Sequence, residues 1–143
     1  METVEITFDG VKLIVPLVNG WPLEMPHPSF AEFDTYCGPG SGLGDALVPD
    51  HIYGVVISPA CYIHDIMFHM ADPAWSDFHH SNSVFFHNIL AIIEAHGTKK
   101  DKHKRFYRAV TYYTAVDIGW GEDVFWRLKK KQGRWHDTEG ETI

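Results

Sequence analysis

A histidine and an aspartate stand side by side at positions 64 and 65, in a stretch that opens with Ser58 and Pro59. A histidine with its usual pKa of about 6.5 is a general base at neutral pH, and a carboxylate binds hard cations. Serine is a common N-cap and proline suits the first helical turn, so a helix is predicted to begin here. Four side chains recur at three- and four-residue spacing and so share one helical face: Cys61, His64, Asp65 and Phe68.

A glycine-rich loop precedes this helix. It reads Tyr-Cys-Gly-Pro-Gly-Ser-Gly-Leu-Gly from Tyr36 to Gly44, and glycine lets a backbone take positive φ and come close to a ligand. The loop lacks the Lys-Ser/Thr ending of a phosphate-binding P-loop, which disfavours nucleotide binding. Inward-facing carbonyls would suit a hard cation such as Ca²⁺, and a plain surface turn is the alternative.

A β-hairpin is predicted to open the chain within residues 1–20. Apolar and polar residues alternate on both sides of Asp9-Gly10, a dipeptide typical of two-residue hairpin turns. Pro16, the Asn19-Gly20 turn and three later prolines are expected to end regular structure, apart from a short helix from Ser29 to Asp34.

Two long helices are predicted after the Ser58 helix. The first is expected from Ser76 to His96, with Gly97 as its C-terminal stop. The second is expected from about Lys102 to Ile118, where Gly119 and Gly121 would end it.

Each long helix is predicted to turn an apolar stripe inward. The stripe of the first contains Phe78, Asn82, Phe85, Ile89 and Ile93, and that of the second contains Phe106, Val110, Tyr113 and Asp117. A buried Asn82 would need a hydrogen-bond partner. Residues 122–128 are predicted to form a short amphipathic helix, and residues 129–143 a flexible tail. The chain is therefore predicted to be a single, mainly α domain of residues 1–143, with its core in residues 36–96.

The loop and the first helix together resemble the phospholipase A2 superfamily. Tyr36-Cys-Gly-Pro-Gly40 is similar to the calcium loop of that family, Tyr-Cys-Gly-x-Gly, and Cys61-Tyr-Ile-His64-Asp65 is similar to its active helix, Cys-x-x-His-Asp. The Gly-Pro-Gly variant looks most like the viral capsid and bacterial members. The resemblance covers roughly residues 36–93 and implies an antiparallel helix pair with a calcium loop, to which this chain adds the N-terminal hairpin and a third helix.

The resemblance implies calcium-dependent hydrolysis of a phospholipid at its sn-2 ester. His64 would be the general base that removes a proton from the attacking water. Asp65 would bind Ca²⁺ together with the carbonyls of Tyr36, Gly38 and Gly40. The ion would bind the substrate phosphate and stabilise the oxyanion, on a phospholipid molecule or at a membrane surface that the protein meets peripherally.

The chain departs from the family pattern in its side chains and in its cysteine content. The resemblance implies a disulfide between Cys37 and Cys61, which are the only cysteines, whereas secreted members carry many. Asn82 stands where the family has an aspartate, and an amide orients an imidazole without stabilising its charged form. Phe68 stands where a tyrosine is common, and Asp117 is a candidate substitute carboxylate. These departures predict hydrolysis at a reduced rate or, as the alternative, an inactive binding or structural protein of phage or bacterial origin.

Two other metal sites are compatible with parts of the sequence. A zinc site would draw on His79, His80 and His87, but no Cys-x-x-Cys or His-Glu-x-x-His pattern fixes one. An HD-type metal phosphohydrolase would use His51, His64, Asp65 and Asp117, which leaves the glycine loop unexplained.

Composition and charge limit the partners. A net charge of −7 argues against broad nucleic-acid binding, and the run from Lys99 to Arg105 is expected to be a solvated helix entry rather than an anionic-lipid contact. The longest apolar stretch, around Ile89 to Ile93, is too short to span a bilayer. Residues 1–5 lack the pattern of a secretory signal, which leaves secreted, periplasmic and virion-associated locations open.

Overall fold

The computed structural model describes residues 1–33 and 51–135. In these ranges the chain is mainly helical with small antiparallel sheets, which confirms the prediction of a mainly α fold. The strands are β1 (Thr3–Phe8), β2 (Val11–Val18), β3 (Trp21–Pro22), β4 (His51–Ile52) and β5 (Val55–Val56). The helices are α1 (Ser58–Met70), α2 (Trp75–His96), α3 (Lys102–Ile118) and α4 (Trp120–Lys131). In the described part of the chain, no helix combines the length and the apolar character needed to cross a bilayer.

The predicted N-terminal hairpin is present as β1 and β2. The two strands pair in the expected register, with Ile6 opposite Leu13. Asp9 and Gly10 both have positive φ, 47° and 83°, as the two central residues of a type I′ turn require. The inward face of β2 is anchored by Leu13 and Val15, which are fully buried.

Regular structure continues past Pro16, contrary to the prediction. Pro16 joins the ladder through its carbonyl, which accepts a hydrogen bond of 3.0 Å from the Leu23 N–H, so its missing donor does not end the strand. Asn19-Gly20 then forms a second hairpin turn that leads into β3. The short helix expected from Ser29 to Asp34 is a 3₁₀ turn at Phe30–Glu32, and Asp34 itself lies outside the described residues.

The start of α1 and both ends of α2 lie within one or two residues of those predicted. α1 begins at Ser58, and its N-cap is Ile57 rather than the serine. α2 begins at Trp75 and ends at His96, immediately before Gly97. Only four residues join the two helices, and the end of α1 packs on the start of α2, with the rings of Phe68 and Phe78 5.9 Å apart. His64, one turn earlier on α1, contacts Phe85, two turns later on α2, so the contacts between the two helices run in opposite sequence order.

α3 has the predicted bounds but turns a different face inward. Its buried residues are Arg105, Ala109, Tyr112 and Val116, whereas Phe106 is 51% exposed. Arg105 replaces the expected phenylalanine because its guanidinium donates hydrogen bonds to the carbonyls of Tyr53, at 2.6 Å, and Ile52, at 3.3 Å. The stem of a long cationic side chain is thus packed while its charged end is satisfied by backbone oxygens.

α4 is longer than the predicted segment 122–128. It reaches Lys131, so the expected flexible tail is wrong for residues 129–131, and residues 136–143 lie outside the described part. Lys129 is buried because its ammonium donates a hydrogen bond of 2.6 Å to the Phe68 carbonyl near the C-terminal end of α1.

A glycine makes the sharp junction between α3 and α4 possible. A Cβ at Gly121 would lie 1.9 Å from the Val116 carbonyl oxygen, which is inside any allowed contact distance. The prediction that Gly121 ends the helical region is therefore wrong. This glycine instead lets α4 begin directly against the last turn of α3.

Two clusters form the described core. The larger one joins the inner face of the hairpin to α1, α2 and α3. The smaller one lies where the C-terminal end of α1, the start of α2 and α4 meet, and contains Phe68, Ala71, Phe78 and Phe125. The predicted apolar stripe of α2 spans both clusters and is buried throughout, including Asn82.

Candidate active site

His64 lies on α1 in an apolar environment. Its ring is fully buried and packs against the rings of Phe68, at 4.2 Å between centroids, and Phe85, at 4.6 Å. Burial lowers the pKa of His64 from 6.5 to about 4, although a hydrogen bond to Asn82 and the charge of Asp65 act in the opposite direction. The imidazole is therefore uncharged at neutral pH.

Asn82 determines which nitrogen of His64 carries the proton. The amide nitrogen of Asn82 faces two acceptors, Asp117 Oδ1 at 3.0 Å and the Val116 carbonyl at 3.3 Å. The amide oxygen must therefore be the atom that faces His64 Nε2, at 2.7 Å. An amide oxygen only accepts, so the hydrogen-bond network assigns the proton to Nε2 and leaves a lone pair on Nδ1.

The second ring nitrogen of His64 is free to act as a base. Nδ1 is buried and has no hydrogen-bond partner among the described residues. Buried polar atoms are normally paired, so an unpaired one at a titratable group marks a candidate functional site. An uncharged imidazole with a lone pair and a fixed ring orientation can remove a proton from a water or hydroxyl placed beside it.

Asp117 approaches the histidine through Asn82 rather than directly. Its Oδ1 also accepts a hydrogen bond of 2.6 Å from Nδ1 of His79, whose side chain is half exposed. The candidate substitute carboxylate is thus present, but one side chain away from the imidazole. Sequence reasoning missed His79 as a partner of Asp117, and its position three residues before Asn82 on the same helix is the signal that could have indicated it.

Asp65 is oriented differently from its neighbour. Its side chain is 23% exposed, and its Oδ1 lies 3.3 Å from Nδ1 of His69. Contact with the Asp65 side chain raises the pKa of His69. Apart from this contact with His69, the buried Asp65 Oδ1 has no partner within the described ranges, and a carboxylate oxygen is the type of ligand that a hard cation prefers.

The other expected calcium ligands, Tyr36, Gly38 and Gly40, lie outside the described residues. Within residues 1–33 and 51–135 no three His, Cys, Asp or Glu side chains form a group that could hold a metal. The set required by an HD-type site (His51, His64, Asp65 and Asp117) and the zinc set (His79, His80 and His87) are both inside these ranges and form no such group.

Cys61 lies one turn before His64 and is fully buried. No described cysteine is a free thiol. Cys37, the other cysteine of the chain, belongs to the segment outside the described residues.

Comparison with protein-family models, with curated proteins and with solved structures finds no match for this chain. Its function therefore has to be inferred from the residues of the site.

Proposed function

We propose that this protein is a calcium-dependent hydrolase of the phospholipase A2 type that cleaves the sn-2 ester of a phospholipid, with His64 as the general base. The observation that carries the proposal is the state of His64 Nδ1, which is uncharged, unpaired and buried beside a carboxylate on the next residue. The sequence motifs around Cys37 and Cys61 supply the reaction class.

The proton path follows from the tautomer. A water beside Nδ1 gives up its proton as it attacks the ester carbonyl, and Nδ1 later returns that proton to the leaving alcohol. In between, the imidazolium is stabilised by the amide dipole of Asn82 and, one hydrogen bond further away, by the carboxylate of Asp117. An amide stabilises a cation less than a carboxylate does, so the rate is reduced relative to a site with a direct His–Asp pair.

Ca²⁺ would be held by Asp65 and by the carbonyls of Tyr36, Gly38 and Gly40. When bound, the ion supplies a Lewis acid for the substrate phosphate and the developing oxyanion. The proposal includes a bond between Cys37 and Cys61, which would hold the loop against α1. Because His69 lies against Asp65, the His69 side chain must move aside or lose its proton when the Asp65 carboxylate binds a cation.

Phe68 has a role in this site despite the absence of a hydroxyl. Its ring contacts His64 on one side and Phe125 of α4 on the other, at 5.1 Å between centroids. It therefore helps to shield this face of the imidazole from bulk water, which keeps the ring uncharged at neutral pH.

The test is the release of fatty acid from mixed micelles of phosphatidylcholine, with Ca²⁺ or with a chelator. Wild-type protein and the control variant His87→Gln, which changes an exposed histidine of α2, should release fatty acid only with Ca²⁺. His64→Gln should release none while keeping its helical circular dichroism. Release that is independent of Ca²⁺ or that survives in folded His64→Gln would overturn the proposal.

The second candidate is a binding or structural protein on the same scaffold. It is favoured by the absence, among the described residues, of a carboxylate hydrogen-bonded to His64, and by the pKa of about 4, which makes the imidazole a weak base. A thermal shift with Ca²⁺ that is lost in Asp65→Asn, without any hydrolysis, would support this candidate. If Ca²⁺ produces neither hydrolysis nor a thermal shift, the hydrolase and a calcium-binding form of the second candidate are both wrong.

A further inference from the structure

Three turns in the described ranges are alike in backbone conformation, and one of them contains a residue that is unfavourable there. The turns at Asp9-Gly10, Asn19-Gly20 and Tyr53-Gly54 all have two residues with positive φ. Aspartate and asparagine tolerate a left-handed backbone, whereas a bulky aromatic residue is a real outlier there. Tyr53 nevertheless has a φ of 46° at the tip between β4 and β5. Turn formation therefore does not explain why a tyrosine occupies this position.

The left-handed turn is held in place by the buried Arg105. Its guanidinium donates to the carbonyl of Tyr53 at 2.6 Å and to the Thr98 carbonyl at 3.2 Å, and only 5% of Arg105 is exposed. Hydrogen bonds from α3 thus hold the strained turn in its conformation. Tyr53, in contrast, is 44% exposed and takes no part in the core cluster.

Two cations lie beside the Tyr53 ring. The ammonium of Lys104 is 5.9 Å from the ring centroid, and the guanidinium of Arg108 is 5.8 Å from it. Lys104 and Arg108 are four residues apart on α3, so they lie on the same face of the helix and repel each other.

This face lines a wide, open pocket of about 530 Å³. The lining residues are Tyr53, His103, Lys104, Tyr107, Arg108 and Thr111. They offer hydroxyl, ammonium, guanidinium and imidazole groups, and none of them is acidic, although the chain as a whole has a net charge of −7.

We propose that this pocket binds the phosphate group of a phosphate monoester, with the organic part of the ligand lying against the rings of Tyr53 and Tyr107. A dianionic phosphate would remove the repulsion between Lys104 and Arg108, and a guanidinium with an ammonium is a common donor set for phosphate oxygens. The phosphate can belong to a soluble metabolite or to a lipid headgroup. The proposal does not depend on the hydrolase activity, because the pocket is built from α3 and the β4–β5 turn and contains no residue of the His64 site.

The test is titration calorimetry with inorganic phosphate and with glycerol 3-phosphate, together with sedimentation on vesicles of phosphatidylcholine with and without phosphatidic acid. Binding should be lost or weakened about tenfold or more in K104Q/R108Q. The control is R127Q/K131Q, which removes the same charge from exposed positions of α4. Saturable binding of the soluble probes identifies a soluble ligand, and binding only to vesicles that contain phosphatidic acid identifies a lipid headgroup.

A second variant separates a binding role of Tyr53 from a structural one. Asparagine is a preferred residue at the first position of this turn, so Tyr53→Asn should raise the melting temperature while it weakens phosphate binding. The proposal is overturned if no probe binds, if K104Q/R108Q binds as wild type does, or if the α4 control loses as much affinity. It is also overturned if Tyr53→Asn lowers stability and leaves affinity unchanged.

Discussion

Two asparagines on α2, six positions apart, are both fully buried and have opposite kinds of partner. Asn88 uses its whole amide on one backbone position: its oxygen accepts from the Ile14 N–H at 2.8 Å and its nitrogen donates to the Ile14 carbonyl at 2.9 Å. Asn82 instead binds two titratable side chains, His64 at 2.7 Å and Asp117 at 3.0 Å, and makes only one longer backbone contact, of 3.3 Å to the Val116 carbonyl.

The difference shows how one residue type serves the fold at one position of a helix and the site at another. An amide that binds backbone groups fixes the position of a strand, and here it satisfies β2 beyond the part that pairs with β3. An amide that binds ionisable groups fixes a tautomer and transmits charge. The same substitution at the two positions should therefore have separate effects on stability and on the pKa of His64.

The largest expected effect is that of Asn88→Ala on stability. The change leaves an N–H and a carbonyl of Ile14 without their partner, which should cost about 4 kcal/mol in the free energy of unfolding. Denaturant unfolding measures the loss, and the pKa of His64 followed by NMR should stay at its wild-type value. A shift of that pKa would show that the two asparagines are not independent.

The next effect is the pH dependence of stability that comes from His64. Its pKa is about 4 in the folded protein and has its ordinary value of 6.5 in the unfolded chain, which therefore binds the proton more readily. The contribution of His64 to the free energy of unfolding is therefore fully present above pH 6.5. It is lost as the pH falls from there through about 4, by about 3 kcal/mol in total.

The unfolding free energies of wild type and His64→Gln should be measured across this pH range. The wild-type value should fall more than that of the variant as the pH is lowered. The contribution of His69, whose pKa is raised by Asp65, is common to both proteins and cancels in the difference. Parallel pH profiles for the two proteins would contradict the assignment of an uncharged, buried imidazole.

A smaller but more informative effect is expected when the carboxylate is moved from position 117 to position 82, next to His64. Asn82→Asp alone would place a carboxylate where the amide nitrogen now lies 3.0 Å from Asp117, so the two acids would repel each other and the fold would lose stability at neutral pH. Asn82→Asp combined with Asp117→Asn keeps the net charge and the contacts of position 82 with His64 and with position 117, although the donor to the Val116 carbonyl is lost. The double variant should raise the pKa of His64, because a carboxylate favours the charged imidazolium, and should increase fatty-acid release.

The double variant is checked by NMR titration of His64 and by the micelle assay, with each single variant as a control. A rise in the pKa without a gain in rate would mean that His64 is oriented as described but is not the catalytic base. No change in the pKa would contradict the hydrogen-bond network itself.

The smallest effect is expected at the exposed end of the network. His79 contacts Asp117, but half of its side chain is exposed, so His79→Ala should change the unfolding free energy by less than about 1 kcal/mol. Thermal unfolding measures this change. A loss comparable to that of Asn88→Ala would show that the network contributes to the fold along its whole length.

Local signals in the sequence predicted much of the fold. Turn residues such as Asp9-Gly10 and the helix stop at Gly97 act within a few positions of themselves, and the elements they delimit have the expected bounds. The inward position of Asn82 followed from helical periodicity in the same way.

The errors arise where a distant partner determines the outcome. Arg105 is buried because carbonyls about fifty positions away accept its hydrogen bonds, and Lys129 because Phe68 does, so charge alone predicted exposure for both. The connection of His64 to Asp117 has the same origin, since Asn82 links the two residues only when α3 packs on α2. The calcium-loop hypothesis, on Tyr36, Gly38 and Gly40, lies outside the described residues and stays a prediction.

The contact between Lys129 and α1 delays the folding of the C-terminal turn of α1 during protein synthesis. The ammonium of Lys129 donates to the Phe68 carbonyl from a position 61 residues later in the chain. Because synthesis proceeds from the N-terminus, the helix that carries His64 leaves the ribosome well before the group that satisfies its last turn. During translation that turn, and the apolar surface around Phe68, stay open until α4 emerges and packs on them.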